Sequence, residues 1–260
     1  MPAVVKFKRL RIFNLVMGFL HLAQAIAIFV LFFLSNDPYQ ANGITAFLNW
    51  NPTTGPENVI ERIVDFPVLP LVAVFLLISS IAHFIMASPR FYPWYVRNLK
   101  KGINYVRWYE YALSASLMVV LIGILSGVND IPTMILLFAL TAGMNFFGLE
   151  MELRNQGAEK VDWTPFVFGS IIGFIPWIVI GWYFFAALSG STEAVPTFVY
   201  FILGILFVFF FSFALNMWLQ YKKIGPWKNY LFGERVYMIL SLTAKSALAW
   251  QIFAGTMRGF

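Results

Sequence analysis

Two residues of this chain carry chemistry that their surroundings should not tolerate. Lys245 lies inside the apolar run 235–256, and Glu110 lies near the start of another, 105–126. Lys245 follows Arg235 by ten residues, about 15 Å along a helix at about 1.5 Å per residue, too deep for its amine to reach either edge of a bilayer comfortably. A charged side chain at mid-bilayer costs about 3 kcal/mol on insertion scales, so such a group is a functional candidate by default. A desolvated lysine amine is nucleophilic toward an aldehyde; the plain alternative is an ion pair that locks two helices. Ser241, one turn before Lys245, shares its face. Glu110 either pairs with Arg107, three residues earlier, or turns inward and neutralises a buried cation, with Ser114 one turn further on. The other eleven acids fall in the termini and connections: Asp37, Glu57, Glu61, Asp65, Asp130 and Glu193 on one side, Glu150, Glu152, Glu159, Asp162 and Glu234 on the other. By elimination, Lys245 has Glu110 as its partner.

His21 and Gln24 share a face of the first apolar run, and His83 lies near the inner end of the second. A lone histidine on an apolar face is usually a hydrogen-bonded core residue. Here both histidines of the chain fall within spans, and with Glu110 they point to one polar cavity on the cytoplasmic side of Lys245. Two histidines on separate helices with one carboxylate make no recognisable metal site.

These groups must be positioned by membrane helices. The chain has 260 residues, 60% hydrophobic and 12% charged, whereas soluble domains run nearer half apolar and a quarter charged. A bilayer core of about 30 Å needs about 20 apolar residues in a helix. Seven stretches qualify, 12–34, 67–88, 105–126, 131–149, 165–188, 196–220 and 235–256, all within a single domain spanning 1–260. The first is too long for a signal-peptide core, so it is expected to remain. Of eighteen Lys and Arg, fifteen then fall on one side, Arg62 and Arg258 on the other, and Lys245 inside a span. The positive-inside rule places the N-terminus in the cytoplasm and the C-terminus outside. It also explains the net charge of +6 without nucleic acid as a partner. Cysteine is absent, which removes disulfides and thiolate chemistry. The connection from Ser35 to about Phe66, with turn signals at Asn36-Asp37-Pro38, Asn42-Gly43, Asn51-Pro52 and Gly55-Pro56, predicts a small β-hairpin on the outer face.

Seven helices, a lysine in the middle of the seventh and a carboxylate in the third form the rhodopsin pattern. The inverted orientation and the local sequence resemble heliorhodopsin. The stretches that carry the resemblance are Ser241–Phe253 around Lys245, Arg107–Tyr111 around Glu110, His21 with Gln24, His83-Phe84, Val195–Tyr200 and Gly233-Glu234-Arg235. It covers essentially the whole chain. It implies all-trans retinal bound covalently to Lys245 as a protonated Schiff base, with Glu110 as counterion and Ser241 beside the linkage. It further implies His21, Gln24 and His83 in the cytoplasmic-side polar cavity, joined there by Ser114, and Met144, Pro176, Trp177 and Trp250 against the polyene. Ala115 stands where the family often has a serine. The resemblance implies a light sensor in the cell membrane, a homodimer with a signalling partner not named by the sequence, and no enzyme activity. Pumping is disfavoured on the residues alone, since no carboxylate lies in the spans between Lys245 and the outer face. Two rival readings remain: an ion or small-molecule transporter or channel built on the Glu110/Lys245 charge pair, against which stands the lack of repeat symmetry, and a light-independent Schiff-base enzyme, against which stands the lack of a second acid–base set beside the lysine.

Overall fold

A computed structural model describes residues 3–35, 38–190 and 197–256. Asn36, Asp37, Glu193, Val195, Pro196 and Arg258, all used above, lie outside the described residues. Among the described residues seven helices are long and apolar enough to cross a membrane. They are α1 (Ala3–Leu34), α2 (Val68–Ala87), α4 (Tyr105–Leu125), α5 (Ile131–Arg154), α6 (Thr164–Gly190), α7 (Thr197–Tyr221) and α8 (Tyr230–Thr256). The short helix α3 (Tyr92–Lys100) stands between α2 and α4. The chain is a multi-pass membrane protein, a seven-helix bundle with a two-stranded hairpin. Side chains such as Phe33, Trp182 and Phe185 point outward, where lipid replaces the packing a soluble protein would need.

Local chemistry sets the helix ends. Asn104 caps α4 by accepting from the Arg107 amide at 3.2 Å. Asp130 caps α5 by accepting from the Thr133 amide at 3.0 Å, with Pro132 in the first turn, where a missing N–H costs nothing. Three helices run well past their apolar stretches, α1 beginning at Ala3 rather than 12. The fifth element continues past 149 to Arg154, and α8 starts at Tyr230 rather than 235. The extensions of α5 and α8 carry acidic residues into the end of the bundle where α4 begins.

The expected hairpin is present and longer than the short apolar run suggested. Strand β1 (Gln40–Asn51) pairs antiparallel with β2 (Gly55–Pro67). The register slips by one residue between Gly43 and Ile44. At that point the Ile44 amide donates to the Asn129 carbonyl at 2.9 Å, stitching the hairpin to the loop between α4 and α5. Gly43 lets the strands pack closely there, since a Cβ would sit 3.1 Å from both Ile131 and Val64.

Candidate functional site

Helices α4 and α8 each turn a stripe of polar residues inward. On α8 the buried positions Glu234, Tyr237, Met238, Ser241, Lys245, Leu248 and Ile252 recur every three or four residues, which places them on one face. On α4 the buried Arg107, Glu110, Tyr111 and Ser114 do the same. The stripes meet where Lys245 Nζ donates to Glu110 Oε1 at 2.7 Å, with the two residues 2% and 8% exposed. Lys245 Nζ also donates to Ser241 Oγ at 2.9 Å and lies 5.2 Å from the Tyr111 ring centroid. Glu110 Oε1 accepts from Ser114 on its own helix and from Ser79 on α2, each at 2.6 Å. Arg107 turns away from Glu110, so the helical-spacing pair considered above does not form. Three donors on one carboxylate oxygen hold Glu110 in its charged, hydrogen-bonded form.

Beyond this pair opens a cavity of about 460 Å³ between α4, α5, α6, α7 and α8. Its wall is almost wholly apolar, and Lys245 is the one charged residue on it among the described residues. Met144 and Trp177 lie on that wall, as do Ala115 and Phe210. Trp177 is wedged edge-on between Phe207 and Phe210, with ring centroids 5.2 and 5.3 Å away. The volume is in the range of small-molecule sites. The space fits a slender apolar molecule with a single reactive end at Lys245.

The two histidines lie side by side. The His21 and His83 rings stack, centroids 5.7 Å apart and 12° from parallel, and both are buried. His83 Nδ1 lies 2.8 Å from Asn14 Oδ1, whose amide nitrogen is already spent on the Leu10 carbonyl at 3.1 Å; the oxygen therefore accepts and Nδ1 carries the proton. His21 has neither ring nitrogen bonded. Three expected residues sit elsewhere. Gln24 is half-buried, and its Oε1 accepts from Trp250 Nε1 at 3.2 Å rather than facing the histidines. Trp250 is 41% exposed and off the cavity wall, because five residues beyond Lys245 rotate it about 140° from the lysine's face. Pro176 is buried in α6, behind the wall that its neighbour Trp177 forms.

A match to a family model described as heliorhodopsin spans residues 10–257. The chain belongs to the heliorhodopsin family. No curated protein matches it. Heliorhodopsins bind retinal covalently through a lysine, and the apolar cavity ending at an amine fits such a group.

The heliorhodopsin site contains residues that the sequence reading passed over. Ser79 and Asn14 are neutral polar residues in apolar runs and send no signal of their own. Larger is the cluster one turn before Glu110 on α4. Arg107 donates to Glu152 at 2.5 Å and to Glu234, with all three residues at most 4% exposed. Glu152 also accepts from the Asn104 amide, Trp108 Nε1 and Tyr230 Oη at 3.0, 2.6 and 2.9 Å. Glu234 also accepts from Asn104 Nδ2 at 2.8 Å. The Arg107 guanidinium stacks on Trp108 and Tyr237, 4.6 and 4.1 Å from their centroids. Both acids stand in the helix extensions that hydropathy assigned to connections.

Proposed function

We propose that this protein is a light sensor in which all-trans retinal is held by Lys245, with Glu110 as the counter-charge. The observation that carries the reading is the buried Lys245–Glu110 pair, 2.7 Å apart, at the end of the apolar cavity. Bound retinal would supply a polyene that absorbs visible light and changes shape. Lys245 anchors it and keeps one positive charge at the end of an apolar cavity. Glu110 stabilises that charge, and Ser79, Ser114 and Ser241 fix the carboxylate and the nitrogen in register. Met144 and Trp177 shape the space along the polyene, while His21, His83 and Asn14 form the polar pocket on the inner side. Positive charge on the inner loops supports an N-terminus in the cytoplasm of a cell-membrane protein, read as one domain over 1–260. A sensory rather than a pumping role is favoured because the described spans offer no acid between Lys245 and the outer end of α8. A homodimer and a separate signalling partner complete the proposal, which includes no enzymatic turnover.

Colour tests it. Protein expressed with all-trans retinal should show a visible band that Lys245→Ala abolishes. Glu110→Gln should move the band to the red and make it bleach at lower pH than the parent. A colourless preparation, or an unchanged spectrum and titration in Glu110→Gln, overturns the reading.

A further inference from the structure

The end of the bundle where α1 begins, α2 finishes and α4 starts carries basic charge with no acid to answer it. Residues 1–34 and 66–109 contain no Asp or Glu. Within them, Arg90, Arg97, Lys100 and Lys101 stand on α3 and its flanks, and Lys8, Arg9 and Arg11 near the start of α1. None of these is ion-paired among the described residues. The positive-inside rule accounts for basic residues in such connections. It does not account for their arrangement on a folded helix between aromatic rings.

Helix α3 is two-faced. Tyr95 and Leu99, four residues apart, are buried in an apolar cluster with Leu10 of α1 and Met86 of α2. The opposite face presents Trp94, Arg97 and Lys101, spaced by three and four residues and all exposed. The Trp94 ring is steadied by Tyr105, with centroids 5.9 Å apart. Cations tie both ends of α3 to α1. Arg11 Nε donates to the Ala87 carbonyl at 2.8 Å, and its guanidinium lies 5.0 Å from the Tyr92 ring centroid. Lys100 Nζ lies 5.9 Å from the Phe7 ring centroid, one turn before Arg11 on α1. Immediately after Arg11, α1 turns Ile12, Val16 and Phe19 outward, the start of the apolar belt that lipid tails cover. Helix α3 is therefore fastened at the rim of that belt, at the depth of lipid headgroups.

We propose that the exposed face of α3, with the neighbouring start of α1, is a binding site for the headgroups of anionic phospholipids. Basic residues interleaved with Trp and Phe are what a helix lying in the membrane interface uses, the rings settling among the headgroups and the cations pairing with phosphate. Trp94 and Phe91, both exposed, supply the rings. Arg97 brings a planar fork that can grip a phosphate with two N–H bonds, and Lys100 and Lys101 add point charges beside it. An acidic soluble protein is the rival occupant. The depth of α3 favours lipid, because headgroups already fill the space beside Trp94 and a protein would have to displace them. The site works whether or not retinal is bound.

Native mass spectrometry of the full chain, released from nanodiscs of equal phosphatidylglycerol and phosphatidylcholine, tests this. Nanodiscs leave both ends of the bundle open, so the direction of insertion does not matter. The wild type should retain phosphatidylglycerol over phosphatidylcholine. Each basic residue near the surface is worth about fivefold, so Arg97→Gln, Lys100→Gln and Lys101→Gln together should lower that preference about tenfold or more. Arg97→Lys with Lys101→Arg keeps the charges and should keep the preference. Lys222→Gln, Lys223→Gln and Lys228→Gln together remove as much charge from the α7–α8 connection and should change it less than about twofold, since those residues flank no such helix face. In the unaltered protein, chain-brominated phosphatidylglycerol should quench the Trp94 emission, taken as the difference from Trp94→Phe, more than brominated phosphatidylcholine does. Raising the salt to about 1 M, where screening acts within about 3 Å, should erase that difference. Equal retention of the two lipids by the wild type, a preference that survives the α3 triple variant, an equal loss in the α7–α8 triple variant, or quenching indifferent to salt would overturn the proposal. So would polyglutamate binding to the α3 face in phosphatidylcholine nanodiscs that phosphatidylglycerol fails to displace, the mark of an acidic protein partner.

Discussion

Replacing Glu110 by glutamine in the retinal-free protein isolates the electrostatics of the site. The change keeps volume and hydrogen-bonding capacity and removes one charge, so Lys245 is left buried with Ser241, the Tyr111 ring and a neutral amide beside it. Removing one partner of a buried ion pair costs about 3–5 kcal/mol. An independent ceiling follows from the lysine itself. An amine that ordinarily titrates near pH 10.4 can be made neutral at pH 7 for about 4.6 kcal/mol, at about 1.4 kcal/mol per pH unit. The variant should therefore lose about 3 kcal/mol or more at pH 7, up to that ceiling. The sign with pH follows from proton counting. In Glu110→Gln the unfolded state binds the lysine proton and the folded state does not, so stability relative to wild type should recover by about 1.4 kcal/mol per pH unit as pH rises toward 10. Equilibrium unfolding in mixed micelles reads both numbers. The double variant Glu110→Gln with Lys245→Met leaves no charge unpaired and should cost less than Glu110→Gln alone. A loss under about 1 kcal/mol, a pH-independent loss, or a double variant that costs the sum of the singles would refute the reasoning.

Three further outcomes follow. A Cβ on Gly173 would lie 2.2 Å from Met144 Sδ, so Gly173→Ala should swing that flexible side chain into the large cavity. Stability should change by about 1 kcal/mol or less, while retinal uptake slows and the visible band shifts. A Cβ on Gly148 would lie 2.2, 2.5 and 2.8 Å from atoms of the Trp108 ring, which is rigid and anchored on Glu152; Gly148→Ala should cost about 1–3 kcal/mol in the same unfolding assay. Trp177→Phe should move the visible band, whereas Trp250→Phe, on the far side of α8, should leave it in place.

The sequence announces the spans because seven long apolar runs admit no other count that also sorts the basic residues. Lys245 and Glu110 were legible for the same reason: a charge amid twenty apolar neighbours stands out. The Arg107 cluster was not legible. Glu152 and Glu234 lie just past the apolar limits of their runs, where hydropathy cannot tell the last buried turn of a helix from a solvated loop. Only the capping at Asn104 and the return of Arg107 toward two neighbouring helices bring them inside. Helix α3 escaped notice because Pro93, Arg97 and Lys100 dilute its short apolar face. Trp250, which the resemblance sets against the polyene, lies five positions past Lys245 on α8 and so faces another way. Ser79 and Asn14 illustrate the remaining blind spot, since a small polar side chain barely alters an apolar run yet completes the hydrogen bonds of Glu110 and His83.

The hairpin is tethered at its root, where Ile44 joins the Asn129 loop and the Val68 amide donates to the Tyr39 carbonyl at 3.3 Å. Its far end, the exposed turn Asn51–Gly55, touches none of these stitches. A fluorophore or epitope inserted between Thr53 and Thr54 should thus be carried without disturbing the helices beneath. That turn offers a handle for immobilising or imaging the molecule in a living membrane.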